Sequence, residues 1–253
     1  MSRSARTAPP QQPDGTVAPA VDASTVALLR GTHRDPDGLE VVLMRRHERS
    51  PAFAGAYVFP GGKVDPGDRE LDPACWTVSD LPSQRARLEV TSDEDALAFL
   101  VAGLRETFEE AGVLLASRRD GTPLTAADLR TRSFVVARER LVSRTHDWSW
   151  ANWLRANGLV LDLDALVFWS RWVTPPDRRH RFDTRFFLAA LPSGQQVTHG
   201  EVEMTEARWV TPPRALEEHD AGLLHLRPAT EATLKSLATH ESVQQALAAG
   251  HGG

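Results

Sequence analysis

The chain has 253 residues, 41% hydrophobic and 25% charged, the balance of an ordinary globular protein. Its 29 Lys and Arg against 34 Asp and Glu leave a net charge of −5, which gives duplex nucleic acid no basic footprint to meet. A single cysteine, Cys75, excludes an internal disulfide framework and a cysteine-based zinc site, and no apolar run is long enough to span a membrane.

Residues 1–20 carry four prolines and few large apolar side chains, so a disordered tail is expected there. Arg3 and Arg6 have no apolar core behind them, unlike a signal peptide, and Gly250-His251-Gly252-Gly253 is not a Ser-Lys-Leu address. The expectation is a cytoplasmic protein. Ser24–Arg30 and Glu40–Arg46 read as strands joined by a turn through Asp35-Pro36-Asp37-Gly38. The unbroken apolar run Val41-Val42-Leu43-Met44 suits a strand buried on both faces. A polar loop from His47 leads to a strand over Tyr57–Pro60, which ends in the paired glycines Gly61 and Gly62.

Between Arg69 and Thr91, the apolar Cys75, Trp76 and Leu81 stand among acids and prolines, and the segment is expected to pack as a small satellite. Ser92 is a good N-cap, Asp93, Glu94 and Asp95 suit a first helical turn, and Gly112 suits the left-handed position that ends a helix. The spacing therefore predicts one helix from Ser92 to Ala111. Residues 125–158 read as helical, and Trp148, Trp150 and Trp153 there suit either a base-stacking surface or, as helical spacing favours, a core. Strands return at Leu166–Val173, Arg185–Leu191 and Ala207–Val210, and a terminal helix is expected from Pro228 to about Ala249. The strand pattern by itself fixes only an α/β or α+β class.

The chemistry concentrates at Arg105-Glu106-Thr107-Phe108-Glu109-Glu110-Ala111-Gly112-Val113. Glu106, Glu109 and Glu110 stand at i, i+3 and i+4, so their carboxylates share one helical face at a repulsive cost of roughly 0.2–0.5 kcal/mol per pair. A solvated acidic face is the ordinary reading of such a run, but apolar residues press on both sides of this one, from Phe99 to Leu104 and from Val113 to Leu115. Clustered hard oxygen donors suit Mg²⁺ or Mn²⁺.

Together, Gly62 and this run resemble the signature of the Nudix hydrolases, G-x5-E-x7-R-E-U-x-E-E-x-G-U with U bulky and apolar. Arg105, Glu106, Glu109, Glu110, Gly112 and Val113 match its second half. Asp68 stands for the first Glu, Thr107 for an apolar residue, and 36 residues separate Asp68 from Arg105 in place of seven. A connection lengthened that much costs only about 1–2 kcal/mol of closure entropy. An interrupted box of this kind, with Trp172-Val173-Thr174-Pro175 and Arg181-Phe182-Asp183-Thr184-Arg185-Phe186-Phe187 further on, resembles the coenzyme A diphosphatase branch of the superfamily.

The resemblance implies an α/β/α sandwich around a mixed sheet over residues 21–253, with a loop-helix-loop box interrupted by the 69–91 insertion. It implies metal-dependent cleavage of a phosphoanhydride in coenzyme A or an acyl derivative, with ADP-ribose or NADH as alternative substrates and a catalytically silent nucleotide-binding domain as a further alternative. The metal ligands it implies are Glu106, Glu109, Glu110 and the carbonyl of Gly61, Glu106 serving either as a ligand or as the group that orients water. Arg105 is expected to pair with a helix carboxylate. Of the late acids Glu201, Glu203 and Glu206, Glu203 is the candidate for a further ligand. Guanidinium groups suit phosphates bidentately, so Arg178, Arg179, Arg181 and Arg185, with Arg46 upstream, are candidate substrate-binding residues, a solvated basic loop being the plain reading. The expected partner is a small nucleotide substrate. Dimers are common in the superfamily, but no stretch here compels a homodimer.

Overall fold

The structure, a computed structural model, describes residues 18–32, 34–50, 54–144, 147–178, 180–200 and 204–252. In chain order its strands and helices are β1 (Val21–Arg30), β2 (Glu40–Arg46), β3 (Tyr57–Val58), β4 (Gly61–Lys63), β5 (Trp76–Thr77), α1 (Leu81–Arg87) and α2 (Asp93–Ala111). There follow β6 (Ala116–Arg118), α3 (Ala126–Leu129), α4 (Arg132–Val142), α5 (Trp150–Ala156), β7 (Leu159–Asp162), β8 (Val167–Val173), β9 (Phe182–Ala190), β10 (Met204–Val210), α6 (Pro212–Asp220), α7 (Pro228–Leu237) and α8 (Val243–Gly252).

The main sheet runs β10-β2-β1-β9-β8, with β3 added to β2 and β4 to β1, and a small sheet runs β5-β7-β6. β1 and β9 pair in parallel over nine positions, from Val21↔Phe182 to Leu29↔Ala190, while their other neighbours are antiparallel. Alternation along the strands then serves two layers. Val26, Leu28, Val42 and Met44 face a core built with Phe99, Leu100, Leu104 and Phe108 of α2. Ala27, Leu29, Val41 and Leu43 face the opposite core, closed by Ala215 of α6, Leu234 and Leu237 of α7 and Ala246 of α8. This is the α/β/α sandwich with a mixed sheet. Among the described residues no helix is long and apolar enough to cross a membrane.

Four expectations need correction. The insertion does carry β5 and α1, but it is no satellite: Leu71, Cys75 and Leu88 are buried in the same core as α2. The terminal helix is two helices, because α7 ends at Leu237 and Ser242 caps a new start, its hydroxyl taking the Gln245 N–H at 3.1 Å. Three strands of two to four residues (β5, β6 and β7) and the helix α6 went unread, being too short or too polar for a periodic signal. The Tyr57–Pro60 strand breaks after Val58 and resumes at Gly61. The tryptophans resolve as core: Trp150 and Trp153 stack on Phe108 of α2, with ring centroids 5.7 and 5.9 Å away.

Candidate active site

The candidate site lies where the end of α2 meets β4. Ser92 starts α2 by accepting the Asp95 N–H at 3.0 Å, and Gly112, with φ of 66°, ends it by returning its N–H to Phe108 O at 3.0 Å. A side chain at Gly112 would also strike Thr198 Oγ1 at 2.3 Å, so both conformation and space require glycine. On β4, Val26 N–H donates to Pro60 O and Val64 N–H to Asp22 O, so Thr25↔Gly61 is a non-hydrogen-bonded pair. Both backbone groups of Gly61 therefore face away from β1. Its N–H donates to Glu110 Oε2 at 2.9 Å. A Cβ on Gly62 would lie 2.4 Å from Glu106 Oε1, so the second glycine is what lets that carboxylate approach the strand.

Glu106, Glu109 and Glu110 are each no more than 5% exposed, so the solvated-face reading fails. One guanidinium organises them. Arg105 grips Asp68 in a two-bond fork (Nε to Oδ1 and Nη2 to Oδ2, both 2.9 Å) and donates to Glu106 Oε1 at 2.8 Å and Lys63 O at 2.9 Å. Glu109 Oε2 lies 3.6 Å from Arg105 Nη1. Burial works against the Arg105 charge, but Asp68, Glu106 and Asp65 outweigh it and hold the guanidinium firmly protonated. For Glu106 burial dominates and pushes the carboxyl up, with Arg105 opposing. Asp68 thus stands in the place of the box's first Glu as the anchor of Arg105. Thr107, at the other departure from the signature, is fully buried and returns its hydroxyl to Gly103 O at 2.7 Å, so the polar atom costs the core nothing unsatisfied.

Arg46 joins the cluster from β2, its Nη1 3.7 Å from Glu110 Oε1. Its Nε is buried and has no hydrogen-bond partner among the described residues. Arg138 of α4, which the sequence reading missed, donates to Glu109 O at 2.8 Å, Glu110 O at 2.6 Å and Thr198 Oγ1 at 2.9 Å. It closes the carbonyls that the end of α2 leaves open. Burial lowers its pKa, and the Glu109 and Glu110 charges oppose the drop. The one sequence signal was indirect: Val113, Leu114, Leu115 and Ala116, directly after Gly112, offer no polar side chain for those carbonyls.

The basic run does not converge here. Arg178 is exposed beside Asp177, and Arg179 lies outside the described residues. Arg181 donates to the carbonyls of Thr174 (3.1 Å) and Ala18. Arg185 is 2% exposed, lies 4.5 Å over the Phe99 ring, and bonds Leu88 O at 2.8 Å and Asp183. As a solvent-facing phosphate ligand Arg185 is corrected to a buried tie between β9 and the insertion. Phe182, where β9 begins, stands four residues before Phe186, the partner of Thr25, so the hairpin tip lies more than about 13 Å along the sheet from Gly61. Glu201 and Glu203 lie outside the described residues, and Glu206 accepts the Tyr57 hydroxyl at 2.7 Å.

Four buried acids, Asp68, Glu106, Glu109 and Glu110, meet the Arg105 and Arg46 guanidiniums. Among the described residues no three acidic, histidine or cysteine side chains form a ready-made cation cage. The donors nevertheless fit a hard divalent cation, being carboxylate oxygens.

Residues 73–235 match the NUDT19 Nudix domain. The acyl-coenzyme A diphosphatase NUDT19 of Gallus gallus is 28% identical over 245 residues, covering 82% of this chain and 65% of that protein. The NUDT19 of Homo sapiens is 28% identical over 244 residues, covering 82% and 62%. The chain thus spans less than two thirds of the length of these relatives. A crystal structure of a Nudix hydrolase from Alicyclobacillus acidocaldarius superposes with a TM-score of 0.75 at 28% identity, covering 92% of this chain and 97% of that one. With the box glycine, the buried glutamates and the sandwich in place, the chain belongs to the Nudix hydrolases, in the NUDT19 branch.

Proposed function

We propose that this chain hydrolyses the phosphoanhydride of coenzyme A or its acyl thioesters, yielding adenosine 3′,5′-bisphosphate and a 4′-phosphopantetheine product. The observation that carries the reading is the buried carboxylate face of α2 set against Gly61 and Gly62. The activity of the relatives, acyl-coenzyme A diphosphatase, supports the substrate class.

Glu106, Glu109 and Glu110, with the carbonyl of Gly61, would hold Mg²⁺ or Mn²⁺. When bound, the cation would screen the diphosphate charge and lower the pKa of a water poised for in-line attack. The chain's own residues do the rest. Arg105 fixes the rotamers of Glu106 and Glu109 from a base locked by Asp68. Arg46, whose Nη1 lies beside Glu110, has a buried Nε–H with no hydrogen-bond partner among the described residues, a donor suited to a phosphate oxygen. Arg138 and Gly112 stop the end of α2 from fraying, which holds Glu109 and Glu110 in place. Glu203 is proposed as a further ligand.

The test is product analysis. Purified protein is incubated with Mn²⁺ or Mg²⁺ and, separately, coenzyme A, ADP-ribose, NADH and a nucleoside triphosphate, and products are identified by mass. Adenosine 3′,5′-bisphosphate from coenzyme A, lost on chelation, is the expected result. AMP from ADP-ribose or NADH, with coenzyme A untouched, overturns the substrate class but keeps the metal site. Absence of any product overturns the hydrolytic reading.

A further inference from the structure

At the β8 edge of the main sheet lies a cavity of about 580 Å³, within the roughly 300–1,000 Å³ of small-molecule sites. It is lined by Trp169, Ser170 and Trp172 of β8, by Arg87 and Glu89 at the end of α1, and by small residues of α7 and α8. The carboxylate site lies elsewhere. Gly61 pairs with Thr25, Thr25 with Phe186 and Phe186 with Ser170, so three strand spacings, about 14 Å, separate Gly61 from Ser170. Three local irregularities converge on the cavity. The register of β8 on β9 slips between Phe168 and Ser170, and the bulge brings both Trp169 and Ser170 to its lining. Ser170 Oγ is buried with no hydrogen-bond partner among the described residues, whereas buried hydroxyls in folded proteins are nearly always paired. Glu89 holds a left-handed φ of 55°, a conformation that favours glycine, and Arg171 Nη1 takes its carboxylate at 2.6 Å.

The charges that line the cavity are already answered. Arg87 donates to Gly250 O at 3.1 Å and to His251 O, and Glu89 is taken by Arg171, which Asp183 also holds. The groups left open are uncharged: the Ser170 hydroxyl, the Trp172 indole at 37% exposure, and the main chain of the strand edge. Thr174 N–H donates to Phe182 O at 2.8 Å, so hydrogen-bonded pairs fall at Thr174 and Trp172. The backbone groups of Arg171 and Val173 between and beside them therefore point away from β9. An indole face, a hydroxyl able to donate or accept, and main-chain donors and acceptors match a purine base, which is flat and edged with donors and acceptors. We propose that this cavity is a second, non-catalytic ligand site for the base of an uncharged purine nucleoside. Trp172 stacks on the ring and Ser170 bonds its edge. Arg87 is spent on carbonyls, so the site favours the nucleoside over its phosphates. The site stands whether or not coenzyme A is the substrate.

The test is calorimetric titration of the full chain, without metal, with adenosine, AMP and uridine. Adenosine should bind at one site, AMP no tighter than adenosine, and uridine, with its smaller ring, several-fold more weakly. Trp172→Ala and Ser170→Ala should each weaken adenosine about tenfold, whereas Glu109→Gln at the carboxylate site should leave it unchanged. Without ligand, Ser170→Ala should melt no lower than wild type, since its hydroxyl has no partner to lose. A lower melting temperature shows that the fold already uses the hydroxyl and overturns its role. No binding of adenosine to wild type, binding that both β8 variants retain, or binding lost in Glu109→Gln overturns the site. AMP bound tenfold tighter than adenosine overturns the uncharged ligand. A dimer in sedimentation that Trp172→Ala dissociates puts a second copy on the strand edge and overturns the nucleoside.

Discussion

Arg105 carries the site at the scale of single residues, because one guanidinium at 4% exposure answers to Asp68, Glu106 and Glu109 together. Arg105→Met leaves those acids buried without it, so a loss of roughly 3–5 kcal/mol in urea unfolding is expected. Arg105→Lys keeps the charge but not the fork on Asp68 and should recover only part of that loss. Adding Asp68→Asn to Arg105→Met should cost less than the sum of the two single changes, since each has already removed the other's partner. Glu109→Gln has the opposite profile. It removes a charge from a crowded acidic face, so the melting temperature should hold or rise while turnover falls about a hundredfold or more. Wild-type turnover in that variant sinks the metal assignment. The acids themselves were legible in sequence because i, i+3, i+4 spacing survives translation into a helix. Arg138 and the burial of Arg185 were not, because both depend on partners such as Glu110 at |i−j|=28 and Leu88 at |i−j|=97.

Among the elements, α2 was readable at both ends, since Ser92 and Gly112 are local signals for local geometry. Its C-terminal carbonyls are another matter, for they are completed by Arg138 of α4 and by the Thr198 N–H, which donates to Ala111 O at 2.9 Å. Arg138→Met should therefore cost about 1–3 kcal/mol of stability, and it should also weaken Mn²⁺ binding measured by electron paramagnetic resonance. A stability loss with unaltered Mn²⁺ affinity would show that the cap serves the fold alone. The insertion was legible as an interruption but not as core. Its apolar residues are too sparse to show a period, yet Leu71, Cys75 and Leu88 each reach the core under α2. Leu88, fully buried, gives the direct check: Leu88→Ala should destabilise by about 2–5 kcal/mol, whereas a satellite would lose far less.

Across the whole molecule, the far edge of the sheet is set by charge. Burial pushes the Asp183 carboxyl up, but Arg171 and Arg185 outweigh it and hold it below the usual range. A depressed carboxyl stabilises the fold above its unfolded pKa of about 3.9 and loses that contribution as pH falls through the lower folded value. Asp183→Asn should thus cost about 1–2 kcal/mol at pH 7, allowing for partial solvent screening, and the gap to wild type should close below about pH 4 in urea titrations. The sandwich followed from family resemblance rather than from the strand pattern, since parallel pairing of β1 with β9 joins segments whose separation no local rule reads. That pairing also bears on how the protein is made. Val21 cannot meet Phe182, nor Leu29 meet Ala190, until about three quarters of the chain has left the ribosome. Until then β1 has only its antiparallel contacts with β2 and β4, and the backbone groups that β9 will pair stay open. Synthesis of this chain should therefore be most vulnerable to aggregation, and most dependent on chaperones, in the interval before β9 emerges.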